Sequence, residues 1–169
     1  MESEFAMPTT DWEAVYWALM PRLYNFFRYR TGDDQIAEDL TSTTLMRAWK
    51  HRHRHTGESF EAWVFAIARN VAVDHHRTNR NVVSIDTIYD LKSTQNVEAE
   101  VQQRGDLAAL YAQLATLSEQ EQELIALKYG AGMTNRAIAE VTGLSASNVG
   151  TVLYRTIRKL RAELKEVLS

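Results

Sequence analysis

The chain has 169 residues, with 19 Lys/Arg against 22 Asp/Glu and a net charge of −3, which is room for one ordinary domain or two small ones. It contains no cysteine, so disulfides, thiolate metal sites and a cysteine nucleophile are excluded, and a reducing cytoplasm is the expected setting. An acidic balance argues against a protein that coats nucleic acid unaided, because DNA affinity rests largely on phosphate neutralisation by Lys and Arg.

The first ten residues carry no periodic pattern and are expected to be disordered. No apolar run approaches the ~20 residues of a membrane span, and the N-terminus lacks a basic-then-apolar signal pattern. Thr10 with Glu13 forms a capping box that starts a helix with Trp12, Val15, Tyr16, Leu19 and Leu23 as its apolar stripe. Pro21 is expected to kink or split that helix. Thr31-Gly32 closes it, and Asp33 or Asp34 caps a second helix with Ala37, Leu40, Thr44 and Ala48 on one face and Leu45 and Trp49 beside it. The run HRHRHTG from His51 to Gly57 has no apolar period and reads as a loop. Ser59 caps a third helix with Phe60, Trp63, Val64, Ile67, Ala68 and Val71 inward, a strong helical spacing.

From residue 81 to about 96 the periodicity fails, and the segment reads as a linker because no partner strand exists elsewhere. Residues 81–106 hold two Lys/Arg against five Asp/Glu, so the acidic excess sits mainly in the middle of the chain. A helix resumes with Val101, Leu107, Leu110, Tyr111, Leu114 and Leu117, with Gly105 as a point of interruption. Ser118 with Glu121 forms another capping box. The expected fold is all-α: two small helical domains, residues 11–80 and 107–169, joined by a flexible acidic linker.

In the C-terminal block, Thr134 and Ser145 are N-caps, Ala139 is the small residue where two helices approach, and Gly143 sits where a turn needs a left-handed backbone. Val149 and Leu153 pin the last helix inward. Ser147, Asn148, Thr151 and Arg155 then point outward, as in a helix-turn-helix that enters a major groove. Arg158, Lys159 and Arg161 follow and suit phosphates. A plain helical hairpin with a basic end is the competing reading.

The third helix repeats Ala66, Arg69, Asn70, Val73, Arg77 and Arg80 on a face away from its apolar stripe. Arg can hold phosphates and Asn can read a base edge. His51, Arg52, His53 and Arg54 precede it, flanked by Trp49 and Phe60, a mixture of cations and aromatics that suits single-stranded DNA. A core role is the competing reading for Trp49, Phe60 and Trp63, and the favoured one for Trp63. The alternating histidines of HRHRH lack a Cys or a fixed carboxylate, so no metal site is expected. No nucleophile–base pair or phosphate-cradling glycine loop is present, and neither enzymatic activity nor a cofactor is expected.

Four stretches in order, AEDLTSTTLMRAW (37–49), SFEAWVFAIARNVAVDHHR (59–77), LSEQEQELIALKY (117–129) and the helix-turn-helix through Arg158, make the chain resemble the extracytoplasmic-function sigma factors. These are a group of the bacterial sigma-70 family, and the likeness covers about Trp12 to Leu164. The resemblance implies a sigma-2 domain that binds the clamp helices of RNA polymerase and reads and melts the minus-ten element. It also implies a sigma-4 domain that binds the minus-thirty-five element and the polymerase flap.

By position, Asp39, Leu40, Thr43, Met46 and Arg47 would meet polymerase. The loop from His51 to Glu58 would take the flipped minus-ten base, with His51, Arg52, His53, Arg54, Phe60, Arg69, Asn70, Asp74, Arg77 and Arg80 on the minus-ten side. Lys128, Ser147, Asn148, Gly150, Thr151, Tyr154, Arg155 and Arg158 would face the minus-thirty-five element. The resemblance further implies core RNA polymerase, duplex and single-stranded promoter DNA and an anti-sigma protein as partners, with the linker threading the polymerase cleft.

Two positions depart from the pattern. Ser42-Thr43 stands where the family commonly has Gln followed by an acid, and Gly150 and Val152 stand where Lys or Arg is frequent. The rival functions are a stand-alone helix-turn-helix regulator and a sigma-derived interaction module that has lost DNA reading.

Overall fold

The computed structural model describes residues 9–55, 59–80 and 98–168, with side chains over 12–55, 59–79 and 105–168. Most of the acidic linker and most of the opening ten residues lie outside them. Among the described residues all regular structure is helical: α1 (Thr9–Thr31), α2 (Asp34–Lys50), α3 (Phe60–Arg80), α4 (Glu98–Ala115), α5 (Glu119–Ile125), α6 (Asn135–Thr142) and α7 (Ala146–Leu168). A 3-10 turn (Arg52–Arg54) follows α2, and a π-turn (Ala126–Gly130) extends α5.

Local chemistry sets most helix ends. Asp33 accepts from Ile36 N at 2.9 Å to start α2, Ser118 and Glu121 exchange both bonds of the capping box that starts α5, and Thr134 caps α6 through Ala137 N at 3.1 Å. Each such cap stabilises its helix by about 1 kcal/mol. Ser59 caps α3, its Oγ accepting from Ala62 N at 3.4 Å and its carbonyl from Trp63 N at 3.0 Å.

Three expectations change. α1 begins at Thr9, so Thr10 stands in the first turn rather than at the cap. α1 also runs unbroken through Pro21. Pro21 and Trp17, one turn earlier, are both exposed, so the carbonyl that Pro21 leaves without a donor lies on the wet side. Likewise α4 passes straight through Gly105, where an added Cβ would meet nothing within 4 Å; the glycine therefore costs the helix only its propensity, about 1 kcal/mol. α4 begins inside the acidic stretch of residues 81–106.

Leu23, Phe26, Phe27, Val64, Phe65 and Ala68 are fully buried in the N-terminal half, and Leu127 and Ile138 in the C-terminal half. Phe65 falls outside the expected stripe of α3. It is buried because α1 brings Phe26 edge-on to its ring, centroids 6.0 Å apart, and sets Arg22 over it. Phe60, Trp63 and Ile67, expected inward, are only half-buried.

The two halves share one continuous core. α1 packs on α2 and α3 and also on α4, α5 and the π-turn, and α3 packs on α6. The tightest point is Gly130, where a Cβ would stand 2.9 Å from the Asn25 carbonyl oxygen and 3.1 Å from Phe26 Cα. Only glycine lets these two backbones meet so closely.

Candidate nucleic-acid interface

The C-terminal surface is a helix-turn-helix. Gly143 ends α6 with φ +78°, a left-handed value that favours glycine. Ser145 Oγ accepts from Asn148 N at 3.0 Å and sets the start of α7. Val149, Leu153, Thr156 and Leu160 anchor α7 inward. Ser147, Asn148, Thr151, Tyr154, Arg155 and Arg158 are exposed along the opposite side, with the Arg158 guanidinium 5.7 Å from the Tyr154 ring centroid. This is a short polar and cationic ridge on a rigid helix, the shape and chemistry of a major-groove reader.

Gly150 is half-buried rather than on the ridge, and a Cβ there would lie 3.5 Å from Asn135 Nδ2. Val152 packs against the core. Lys128 sits half-buried in the π-turn, away from α7 in sequence.

Glu121 ties the recognition helix to α5. The Thr156 hydroxyl lies 3.2 Å from Glu121 Oε2 and 2.7 Å from the Val152 carbonyl, and Lys159 is 3.9 Å from Glu121 Oε1. Burial pushes the Glu121 carboxyl up, but hydrogen bonds from Ser118, the Lys159 charge and Thr156 outweigh it, holding the group below its ordinary value.

The N-terminal surface is aromatic. Trp12 lies 5.1 Å from Trp49 and 5.8 Å from Phe60, and Phe60 lies 5.5 Å from Trp63. His55 is edge-on to Phe60 at 5.4 Å. The Arg52 guanidinium stacks 3.7 Å from the Trp49 centroid and donates to the Trp49 carbonyl at 2.8 Å. The HRHRH segment is thus a 3-10 turn seated on an aromatic pedestal rather than a free loop. Arg52, His53 and Arg54 are exposed on it. Desolvation, then Arg54, Lys50 and His53, hold His51 below the ordinary histidine value.

Trp12 and Trp49 carry this pedestal. The sequence placed Trp12 only in a core stripe, and the contact crosses too many residues for local periodicity to signal it.

Along α3, Asn70, Asp74 and Arg77 are exposed. Asp74 faces Arg47 of α2 at 3.6 Å, joining the expected minus-ten and polymerase groups. Asp39, Met46 and Arg47 are exposed on α2, with Leu40 and Thr43 half-buried; Met46, at 72% exposure, is the most exposed large apolar side chain described. Arg69 departs from its expected free position. Its Nε is 2.5 Å from Glu123 Oε1 and its Nη1 donates to the Val141 carbonyl at 2.8 Å. The Arg80 side chain lies outside the described ones.

Among the described residues no three His, Cys, Asp or Glu side chains gather as a metal group, and no helix is long and apolar enough to cross a membrane.

Two family models match in this order: Sigma-70 region 2 over residues 15–82 and Sigma-70, region 4 over residues 107–160. The chain is 33% identical over 162 residues to the extracytoplasmic-function (ECF) RNA polymerase sigma factor SigL of Mycobacterium tuberculosis, covering 89% of this chain and 91% of SigL. It is 32% identical over 143 residues to the ECF sigma factor BldN of Streptomyces coelicolor, covering 82% of this chain, and it spans about half, 54%, of BldN. SigM of Bacillus subtilis is 26% identical over 151 residues, covering 89% of this chain and 93% of SigM.

The fold matches the sigma factor RpoE of Bartonella quintana, solved with the anti-sigma factor NepR. The TM-score is 0.69 at 22% identity, over 93% of this chain and 98% of that one. CnrH, solved with the cytosolic domain of CnrY, matches with a TM-score of 0.56 at 23% identity, over 92% of this chain and 82% of that one. With two region models in register and a relative one-third identical along nearly its whole length, the chain belongs to the sigma-70 family, in its extracytoplasmic-function group.

Proposed function

We propose that this chain is a promoter-specificity subunit: it docks on core RNA polymerase, directs it to promoters through minus-thirty-five and minus-ten elements, and helps open the DNA. The observation that carries this reading is the pairing, in one chain, of a groove-reading α7 ridge with an aromatic, cationic surface at the start of α3. Sigma factors are initiation factors without catalysis of their own, and this chain acts by binding alone, in the cytoplasm where polymerase works. One neighbour of known structure, RpoE, is bound to the anti-sigma factor NepR, and an anti-sigma protein is the expected regulator of this chain.

The energetics divide between the two surfaces. On the ridge of α7, Arg155 and Arg158 neutralise phosphates, and Ser147, Asn148 and Thr151 reach base edges. Melting costs a few kcal/mol per unstacked base. Stacking on aromatic side chains returns about 1–3 kcal/mol per base, and Phe60 with Trp49 beneath Arg52 offers such a platform. Arg54, Asn70, Asp74 and Arg77 flank it to hold backbone and bases. Asp39, Leu40, Thr43, Met46 and Arg47 form the polymerase-docking face of α2, with the apolar Met46 as its anchor.

Run-off transcription with core RNA polymerase on promoter fragments from the source genome tests this. Specific transcripts that depend on the protein support it. Polymerase binding without transcripts favours an interaction module, and tight dimeric duplex binding without polymerase favours a stand-alone regulator.

A further inference from the structure

The half of α7 that would lead into a groove carries no cation of its own. From Ala146 to Tyr154 every side chain is uncharged. The first cation, Arg155, lies about 14 Å along the axis from the start of the helix. A recognition helix works chiefly with its N-terminal residues, and the groove it enters is walled on both sides by phosphates. The phosphates nearest the leading end therefore need a cation from another element.

Gly150 marks where that element comes in. Ser147, Gly150 and Tyr154 share one flank of α7, three and four residues apart. On this flank the head of α6 meets the helix: a Cβ on Gly150 would lie 3.5 Å from Asn135 Nδ2. The Asn135 Oδ1 is buried and has no hydrogen-bond partner, so the amide is not committed inside the protein. Arg136 follows it and is exposed. Among the described residues no carboxylate pairs with Arg136. The first turn of α6 holds no acidic residue, and a cation there opposes the helix dipole. Helix stability thus gives no reason for an arginine at this position.

We propose that Asn135 and Arg136 form a backbone clasp for one strand of the minus-thirty-five duplex. Arg136 pairs with a phosphate and the Asn135 amide donates beside it, so that α6 supplies the charge that α7 lacks at Gly150. This rests on the groove-reading role of α7 given above. The first helix of a helix-turn-helix crosses the DNA backbone, which sets the clasp on the strand bordering the groove at the Gly150 flank. A long basic side chain at 150 would leave α7 beside Asn135 and reach the same wall. Residues 136 and 150 are therefore alternative sources of one charge. The clasp positions the helix without reading sequence, because a phosphate is the same beside every base pair.

The complex of the full chain with core RNA polymerase, bound to duplex promoter fragments from the source genome over a range of salt, tests this. Arg136→Ala lowers affinity about three- to tenfold on every fragment alike, and the dependence of log affinity on log salt becomes shallower by about one. Gly150→Arg, whose Cβ has room at 3.5 Å, restores both in the Arg136→Ala background. Arg136→Glu separates binding from folding: an acid in the first turn of α6 raises the melting temperature, while it repels the phosphate and lowers affinity further.

An unchanged salt slope in Arg136→Ala overturns the clasp, as does a loss confined to some fragments or a Gly150→Arg that restores nothing. A melting temperature that falls with affinity in Arg136→Glu assigns Arg136 to the fold instead, and also overturns it. Arg155→Ala on the ridge is the control. Where it weakens binding and Arg136→Ala does not, the clasp falls and groove reading stands. Where neither weakens binding, groove reading by α7 falls and takes the clasp with it.

Discussion

The two DNA-facing surfaces differ in how much of their chemistry is already in use. On α7, the outward residues bond, among the described residues, within their own helix and its Ser145 cap, as when Thr151 returns its hydroxyl to the Ser147 carbonyl at 3.0 Å. On α3 and its approach, Arg69 is bound to Glu123, Asp74 faces Arg47, and Arg52 lies on Trp49. A duplex groove has a fixed shape, and a bare, preformed ridge suits it. An unpaired strand has no fixed shape, so a surface that gives up internal partners as bases arrive can match it stepwise.

The largest effect that separates the surfaces is structural. Phe65→Ala removes a fully buried ring packed edge-on to Phe26 and lowers stability by about 3–5 kcal/mol, seen as a fall in melting temperature. Arg155→Ala is the converse. It weakens duplex binding by about 1–3 kcal/mol and shallows the salt dependence, while the affinity for a minus-ten single strand stays constant. If both affinities fall together, the two surfaces are not separable in the way their bonding suggests.

Asn70→Ala comes next, with about a tenfold loss of promoter opening, measured by permanganate reactivity, and unchanged core polymerase binding. Equal loss of both would remove Asn70 from the minus-ten surface. The smallest effect is the pH dependence at Glu121. Its carboxyl is held below the ordinary value in the folded state, so its contribution is complete above the unfolded carboxylate pKa. It disappears as pH falls through the lower, folded value. The melting temperatures of the wild type and Glu121→Gln therefore differ near neutrality and converge in acid; a constant gap would deny Glu121 its role in seating α7.

The features legible in the sequence were the local ones. Asp33, Ser59, Ser118, Thr134 and Ser145 each act within three or four residues, and Gly143 needs only its own backbone angle. What escaped was set by distant packing. Phe65 is buried by Phe26, 39 residues earlier; no period of α3 alone reports that. Arg69 finds its acceptors 54 and 72 residues away, so from sequence it looked like a free cation on a polar face. The π-turn that ends at Gly130, closed by Ala131 N on the Ala126 carbonyl at 2.9 Å, has the same origin: an extra residue in the turn brings glycine to the one place where α1 passes backbone to backbone. The continuity of α1 through Pro21 was illegible because it depends on which side of the helix faces water.

The aromatic pedestal has an optical consequence. All four tryptophans, Trp12, Trp17, Trp49 and Trp63, lie in the first 63 residues, and three of them belong to the cluster around the 3-10 turn. A base stacking there changes their emission, whereas duplex contact along α7 touches tyrosine alone. The unmodified protein therefore carries its own one-sided dye: excited at the red edge of tryptophan absorption, it registers strand capture at one end and stays dark to groove docking at the other.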